Sequence, residues 1–217
     1  MSSLLFLLAL MTPAQAGLGD GDKLADVEAP AELGTLPEGI GVAAGERAPD
    51  ARVQDLSGRP VDLLSAAEGD KLLVFYKGGW CPFCNMNLRE LAAASDAFSE
   101  RGITPIAISV DLPAPASVTQ ANWDIPFPVL SDPELAAHTA WSVLDPLSGG
   151  ERFMLGLAGA DLKARTGQEK VSVAVASLFL VDEGGVVRWA HADLALKERP
   201  SVAQILAEID TVLGGEE

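Results

Sequence analysis

Both cysteines of this 217-residue chain fall in one eight-residue stretch, Lys77 to Cys84, which reads KGGWCPFC. Two thiols separated by two residues can close a structural ring, supply half of a metal site, or cycle between dithiol and disulfide. A ring this short constrains little of the unfolded chain and stabilises weakly. A zinc site needs two more ligands, and His138 and His191 stand far apart without the H-x3–5-H spacing, so no metal is expected and neither histidine is nominated. A pair of inert, reduced core thiols is the remaining bland alternative. The redox pair has the most chemistry behind it.

That chemistry depends on what flanks the pair. LLVFY, Leu72 to Tyr76, is a continuous apolar run suited to a strand buried on both faces, and Pro82 to Phe98 places Phe83, Met86, Leu88, Leu91 and Ala92 near helical spacing. Cys81 therefore falls where strand gives way to helix. There the unpaired N–H groups and the positive dipole end favour thiolate over thiol. Cys84, on the first turn, is close enough to resolve a mixed disulfide or sulfenic acid on Cys81. Pro82 suits the first helical position, Trp80 can shield the pair from water, and Gly78 and Gly79 permit a tight bend and close approach. Lys77 is the nearest cation in sequence, expected mainly as an exposed structural residue.

The elements that must hold this stretch follow in order. ARVQDLSGRPVDL reads as a small hairpin, ITPIAISVD (103–111) as a second buried strand, PASVTQANW (115–123) as a helix and FPVLSD (127–132) as a short strand end. Asp132-Pro133-Glu134 predicts a helix start, with Asp132 as N-cap and the helix running to about Trp141. SVAVASLFLVD (172–182) and VVRWAHA (186–192) predict two strands joined by a hairpin at Glu183-Gly184-Gly185, and Ser201 to Leu213 closes as an amphipathic helix. The expected fold class is α/β, a mixed central sheet covered by helices.

Composition narrows the partners. Fifteen Lys and Arg against 31 Asp and Glu give a net charge of −16, a field that repels phosphate backbones, so nucleic acid is not expected. Residues 1–16, MSSLLFLLALMTPAQA, join an apolar run to an Ala-x-Ala site, the pattern of a cleavable export signal, although no Lys or Arg precedes the run. The run is too short to span a bilayer, so no stable membrane insertion is expected after cleavage. A periplasmic or secreted location follows, where a disulfide can persist. Residues 17–44, rich in Gly, Pro, Ala and acids, read as a linker or loosely packed arm, and 45–217 as the folded domain.

Strand, WCxxC and helix in this order resemble the thioredoxin superfamily. More specifically, GERAPDARVQDLSGRPVDL, LLVFYKGGWCPFCNMNLREL, AISVDLP, FPVLSDPELAAHTAW, ASLFLVDEGGVVRWAHAD and ERPSVAQIL resemble successive blocks of peroxiredoxin-like proteins of the alkyl hydroperoxide reductase and thiol-specific antioxidant family. The resemblance implies a thioredoxin-like fold, with Cys81 attacking and Cys84 resolving. It also implies no bound cofactor, reducing equivalents from an external dithiol, and a small peroxide or a thiol/disulfide protein as partner.

Departures from that pattern bear on the reaction. Typical members carry P-x-x-x-T-x-x-C, and the corresponding positions here are Val74 and Gly78. The activating arginine of peroxiredoxins and the cis-proline of thioredoxins both align at Ala176, and the buried acid of thioredoxins aligns at Phe75. The expectation is therefore a Cys81–Cys84 oxidoreductase acting on peroxides, disulfides or both, with disulfide exchange at least as ready as peroxide reduction. A thioredoxin-type exchanger with little peroxidase activity is the alternative, and a redox-inert binding module with this fold is the second.

Overall fold

The structure is a computed structural model that describes residues 30, 32–194 and 199–215. In chain order the strands are β1 (Arg52–Gln54), β2 (Pro60–Asp62), β3 (Asp70–Phe75), β4 (Ile103–Ser109), β5 (Val129–Ser131), β6 (Leu144–Pro146), β7 (Ser172–Ala174), β8 (Ala176–Val181) and β9 (Val187–Asp193). The helices are α1 (Pro82–Ala93), α2 (Ser95–Ser99), α3 (Pro113–Asn122), α4 (Ala136–Ala140), α5 (Gly149–Leu157), α6 (Leu162–Thr166) and α7 (Val202–Gly214).

Seven strands form one sheet in the order β2-β1-β5-β4-β3-β8-β9. β3, β4 and β5 run parallel, while β8, β9, β1 and β2 join antiparallel, giving the mixed α/β sheet that the sequence pattern predicts. β3 lies between β4 and β8 and is apolar on both faces because both are covered. Leu72, Val74 and Tyr76 pack into the cluster that includes α1 and α7, whereas Leu73 and Phe75 join Ile106, Ile108, Trp141 and Phe179 on the opposite face. The period-2 alternation of a strand thus sends one side toward the cysteines and the other away.

Several expected elements are cut differently. The helix predicted over 82–98 breaks at Ala94 into α1 and α2. The strand read over 172–182 is two: β7 pairs with β6 in a separate two-stranded sheet, and at Val175 the chain crosses to β8. The helix predicted from Asp132 begins only at Ala136, since Leu135 adopts a left-handed conformation (φ 62). Asp132 still serves the helix from outside, accepting from the N–H groups of Ala136 and His138.

Segment 142–171, for which the sequence predicts no element, forms β6, α5 and α6. The signal sequence expected over 1–16 lies outside the described residues. Of the arm expected over 17–44, residues 33–44 run along the domain: Leu36 and Val42 pack on its core, and Gly41 N–H donates to the Ser142 carbonyl. Among the described residues no helix is long and apolar enough to cross a membrane.

Candidate active site

The turn between β3 and α1 is set by two glycines. Gly78 has φ +136, in the region that favours glycine, and a Cβ there would lie 2.5 Å from the Trp80 indole nitrogen. Gly79 needs its missing side chain for space: a Cβ would fall 1.9 Å from Thr119 Oγ1 on α3. Its N–H donates to Asp111 Oδ2 at 2.8 Å, and its carbonyl accepts from Asn85 Nδ2 at 2.8 Å. Asp111, fully buried just past the end of β4, is held in turn by Arg165 of α6 at 2.9 Å. The loop that presents the cysteines is thereby tied to β4, α1 and α6.

Cys81 is the N-cap of α1, with extended backbone (φ −86, ψ 113) and Pro82 following at the first helical position. Its Sγ accepts the Cys84 N–H at 3.4 Å, and its carbonyl accepts the Asn85 N–H at 3.0 Å. The helix end thus directs an otherwise unpaired donor at the sulfur. Both cysteines are present as thiols. The Cys84 thiol donates to Cys81 and, with the N–H bond and the positive charges of Arg199 and Lys77, outweighs burial and brings the Cys81 thiol down to about 7. The same hydrogen bond, joined by burial, pushes the Cys84 thiol up.

The helix mouth leads one to expect Cys81 to be the more exposed thiol, but the two residues are only 2% and 3% exposed. Both belong to the apolar cluster on this face of the sheet, against which Trp80 and Phe83 pack. Lys77 is likewise not an exposed residue: its ammonium pairs with Asp145 at 2.9 Å, and its side chain is largely buried. Pro82 is where the helix start requires it. Ala176, at the start of β8, lines a cavity of about 20 Å³ together with Cys84, Ser177, His191 and Arg199. Among the described residues no group of three or more His, Cys, Asp or Glu is placed to hold a metal ion.

Asp111, Arg165, Asn85 and Arg199 were not nominated from the sequence. Asp111 carries a readable signal, an acid ending a buried apolar strand. Arg165 lies in a segment where no element was predicted, and the separation of 34 positions between Arg165 and Arg199 hides the fact that both approach the same turn.

Comparison with known proteins supports the same reading. The chain matches the AhpC/TSA family over residues 44–190. A Mycobacterium tuberculosis protein named as a peroxiredoxin is 26% identical over 143 residues, 66% of this chain and 80% of that one. Chloroplastic peroxiredoxin Q of Arabidopsis thaliana is 28% identical over 108 residues, half of each chain. In fold, the chain is similar to the crystal structure of the peroxidoxin BcpB from Mycobacterium tuberculosis, with a TM-score of 0.62 at 17% identity, covering 82% of this chain and 99% of that one. With a match of this extent and a mixed sheet presenting a cysteine at a helix entrance, the chain belongs to the AhpC/TSA family, as a peroxiredoxin-like thiol peroxidase of the thioredoxin superfamily.

Proposed function

We propose that Cys81 and Cys84 form the working redox pair, with Cys81 the thiolate that attacks peroxide. The observation that carries this is the sulfur of Cys81 at the N-cap of α1, receiving both the thiol and the N–H of Cys84. Cys81 thiolate attacks a peroxide oxygen; the O–O bond breaks, the alkoxide or hydroxide leaves and is protonated, and Cys81 becomes a sulfenic acid. Cys84 then attacks Cys81 Sγ, the S–O bond breaks, water leaves, and the Cys81–Cys84 disulfide forms. An external dithiol reduces it once the surrounding turn opens, and no bound cofactor takes part.

Burial bears on the choice of oxidant. Disulfide exchange requires a second sulfur to line up with Cys81 Sγ, and a residue 2% exposed admits a protein disulfide only after the surrounding turn opens. Two oxygens need far less room. This favours a small peroxide over a protein disulfide and revises the expectation, drawn from Gly78 and Ala176, that exchange is at least as ready. Residues 1–16 support export to the periplasm or beyond, where the disulfide state can persist.

The test is hydrogen peroxide consumption by purified protein with dithiothreitol. Cys81→Ser should abolish turnover, while Cys84→Ser should accumulate a sulfenic acid on Cys81 that dimedone traps. A Cys81→Ser enzyme that turns over normally would move the attack elsewhere. Insulin reduction faster than peroxide consumption would restore the exchange reading.

A further inference from the structure

Closing the disulfide needs a thiolate on Cys84, yet Cys84 is buried and its thiol is held protonated by Cys81. Something must take that proton. The polar groups lining the cavity on the Cys84 side of the pair are Tyr76, Cys84, Asn87, Ser177, His191 and the ion-paired Asp193 and Arg199, and its volume of about 20 Å³ is room for one water. His191 reaches it from β9, in register with Leu178 of β8, its ring stacked on Trp189. The imidazole is 3% exposed, and neither ring nitrogen has a hydrogen-bond partner among the described residues. An imidazole unpaired at both nitrogens in the interior is costly unless something enters to satisfy it. A water in the cavity, shared with the Cys84 thiol, would do so.

We propose that His191 is the proton acceptor for Cys84, acting through one water in this cavity. The proposal rests on the Cys81–Cys84 pair being redox-active. The Cys84 proton passes through the water to His191, and Cys84 thiolate attacks Cys81 Sγ. The imidazolium then returns the proton to the departing hydroxide, which leaves as water. In reduction by the external dithiol, one of its thiols attacks Cys81 and gives up its proton to neutral His191, the S–S bond breaks, Cys84 leaves as thiolate, and the imidazolium returns that proton through the water to Cys84.

The charges around the ring suit a base that must be neutral at rest. Burial lowers its basicity, and Arg199 opposes protonation, while Asp193 on the same strand and Glu208 on α7 favour it. Arg199 is itself paired with Asp193 at 3.4 Å, which tempers both. Tyr76 and Cys84 face the cavity as neutral acids.

Reduced protein mixed with excess hydrogen peroxide should give two fluorescence phases. One is proportional to peroxide, from Cys81 oxidation, and one is independent of it, from disulfide closure. His191→Gln should leave the first unchanged and slow the second about 10²-fold at pH 7. It should also convert a closure rate that is flat above about pH 7 into one rising tenfold per pH unit between 6 and 8, which a packing defect would not do. An unchanged closure rate and pH profile in His191→Gln would overturn the proposal. If wild type shows no peroxide-dependent phase, the peroxidase reading falls. Closure is then measured from a Cys81–glutathione mixed disulfide, where the same loss and slope still support His191 and their absence refutes it. If His191→Gln does not fold, the wild-type profile decides: a plateau above pH 7 supports the base, and a tenfold rise per unit through pH 8 overturns it.

Discussion

Gly79→Ala is the smallest change that tests whether the loop is held where the chemistry needs it. The added methyl would sit 1.9 Å from Thr119 Oγ1, 2.9 Å from Arg165 Nη2 and 3.1 Å from Thr119 Cβ. The first distance is far inside contact. It cannot be relieved by rotating a surface side chain, because Thr119 is buried with its hydroxyl bonded to the Pro115 carbonyl. Overpacking of this kind costs about 1–3 kcal/mol. The displaced loop also strains the bond from Gly79 N–H to Asp111, which fixes the approach to Cys81. A shift of about 1 Å at a reacting atom can cost roughly 10²-fold in rate. Thr119→Ala removes the worst contact and leaves those at 2.9 Å to Arg165 Nη2 and 3.1 Å to the Cβ of residue 119, so the double variant should recover about 1–2 kcal/mol relative to the sum of the singles. Urea unfolding followed by tryptophan fluorescence gives the stability, and iodoacetamide alkylation of Cys81 gives the rate. If Gly79→Ala is as stable and reactive as wild type, or if Thr119→Ala fails to rescue it, the packing argument is wrong.

Cys84→Ala removes the largest influence on Cys81, so its thiol should move from about 7 back toward its ordinary value of 9. The sign follows: at pH 7 the thiolate falls from about half to a few per cent, and the midpoint of the peroxide reaction moves to higher pH, as read from thiolate absorbance at 240 nm across a titration. A midpoint unchanged in Cys84→Ala would assign the lowering to the helix end and the cations instead. Asp132→Ala should destabilise by about 3–5 kcal/mol, because it strips acceptors from the Ala136 N–H, the His138 N–H and His138 Nδ1, of which the last bond is 2.7 Å in a fully buried site. A loss below about 1 kcal/mol in urea would mean that water replaces the carboxylate.

The sheet was readable because its central strands are covered on both faces. Leu72–Tyr76 and 103–111 show unbroken apolar runs that few alternatives explain, and WCPFC marks the passage from strand to helix. The breaks were harder. Nothing in the SVAVASLFLVD stretch records that Val175 bonds to Val143 and turns the chain from one sheet into another. Leu135 adopts its left-handed conformation without the glycine that would announce it. The site divides in the same way. Local geometry placed Cys81, Pro82 and Gly78 because capping and turn chemistry are written within a few residues. Asp111, Arg165, His191 and Arg199 act through contacts spanning 30 residues or more, which no local period encodes.

The three-residue spacing of the pair does more than allow a disulfide. With Cys81 as N-cap, the residue whose N–H caps it is Cys84, so one turn of helix aims both a backbone N–H and a thiol at a single sulfur. The thiol hydrogen bond acts with opposite sign on its two ends: it stabilises thiolate on Cys81 and withholds ionisation from Cys84. The attacking group is thereby charged before the oxidant arrives, while its neighbour stays protonated and does not repel it. Once Cys81 carries oxygen, its negative charge is gone and burial alone still holds the proton on Cys84. Oxidation of the first sulfur therefore makes the second easier to ionise, which sets the order of the two steps.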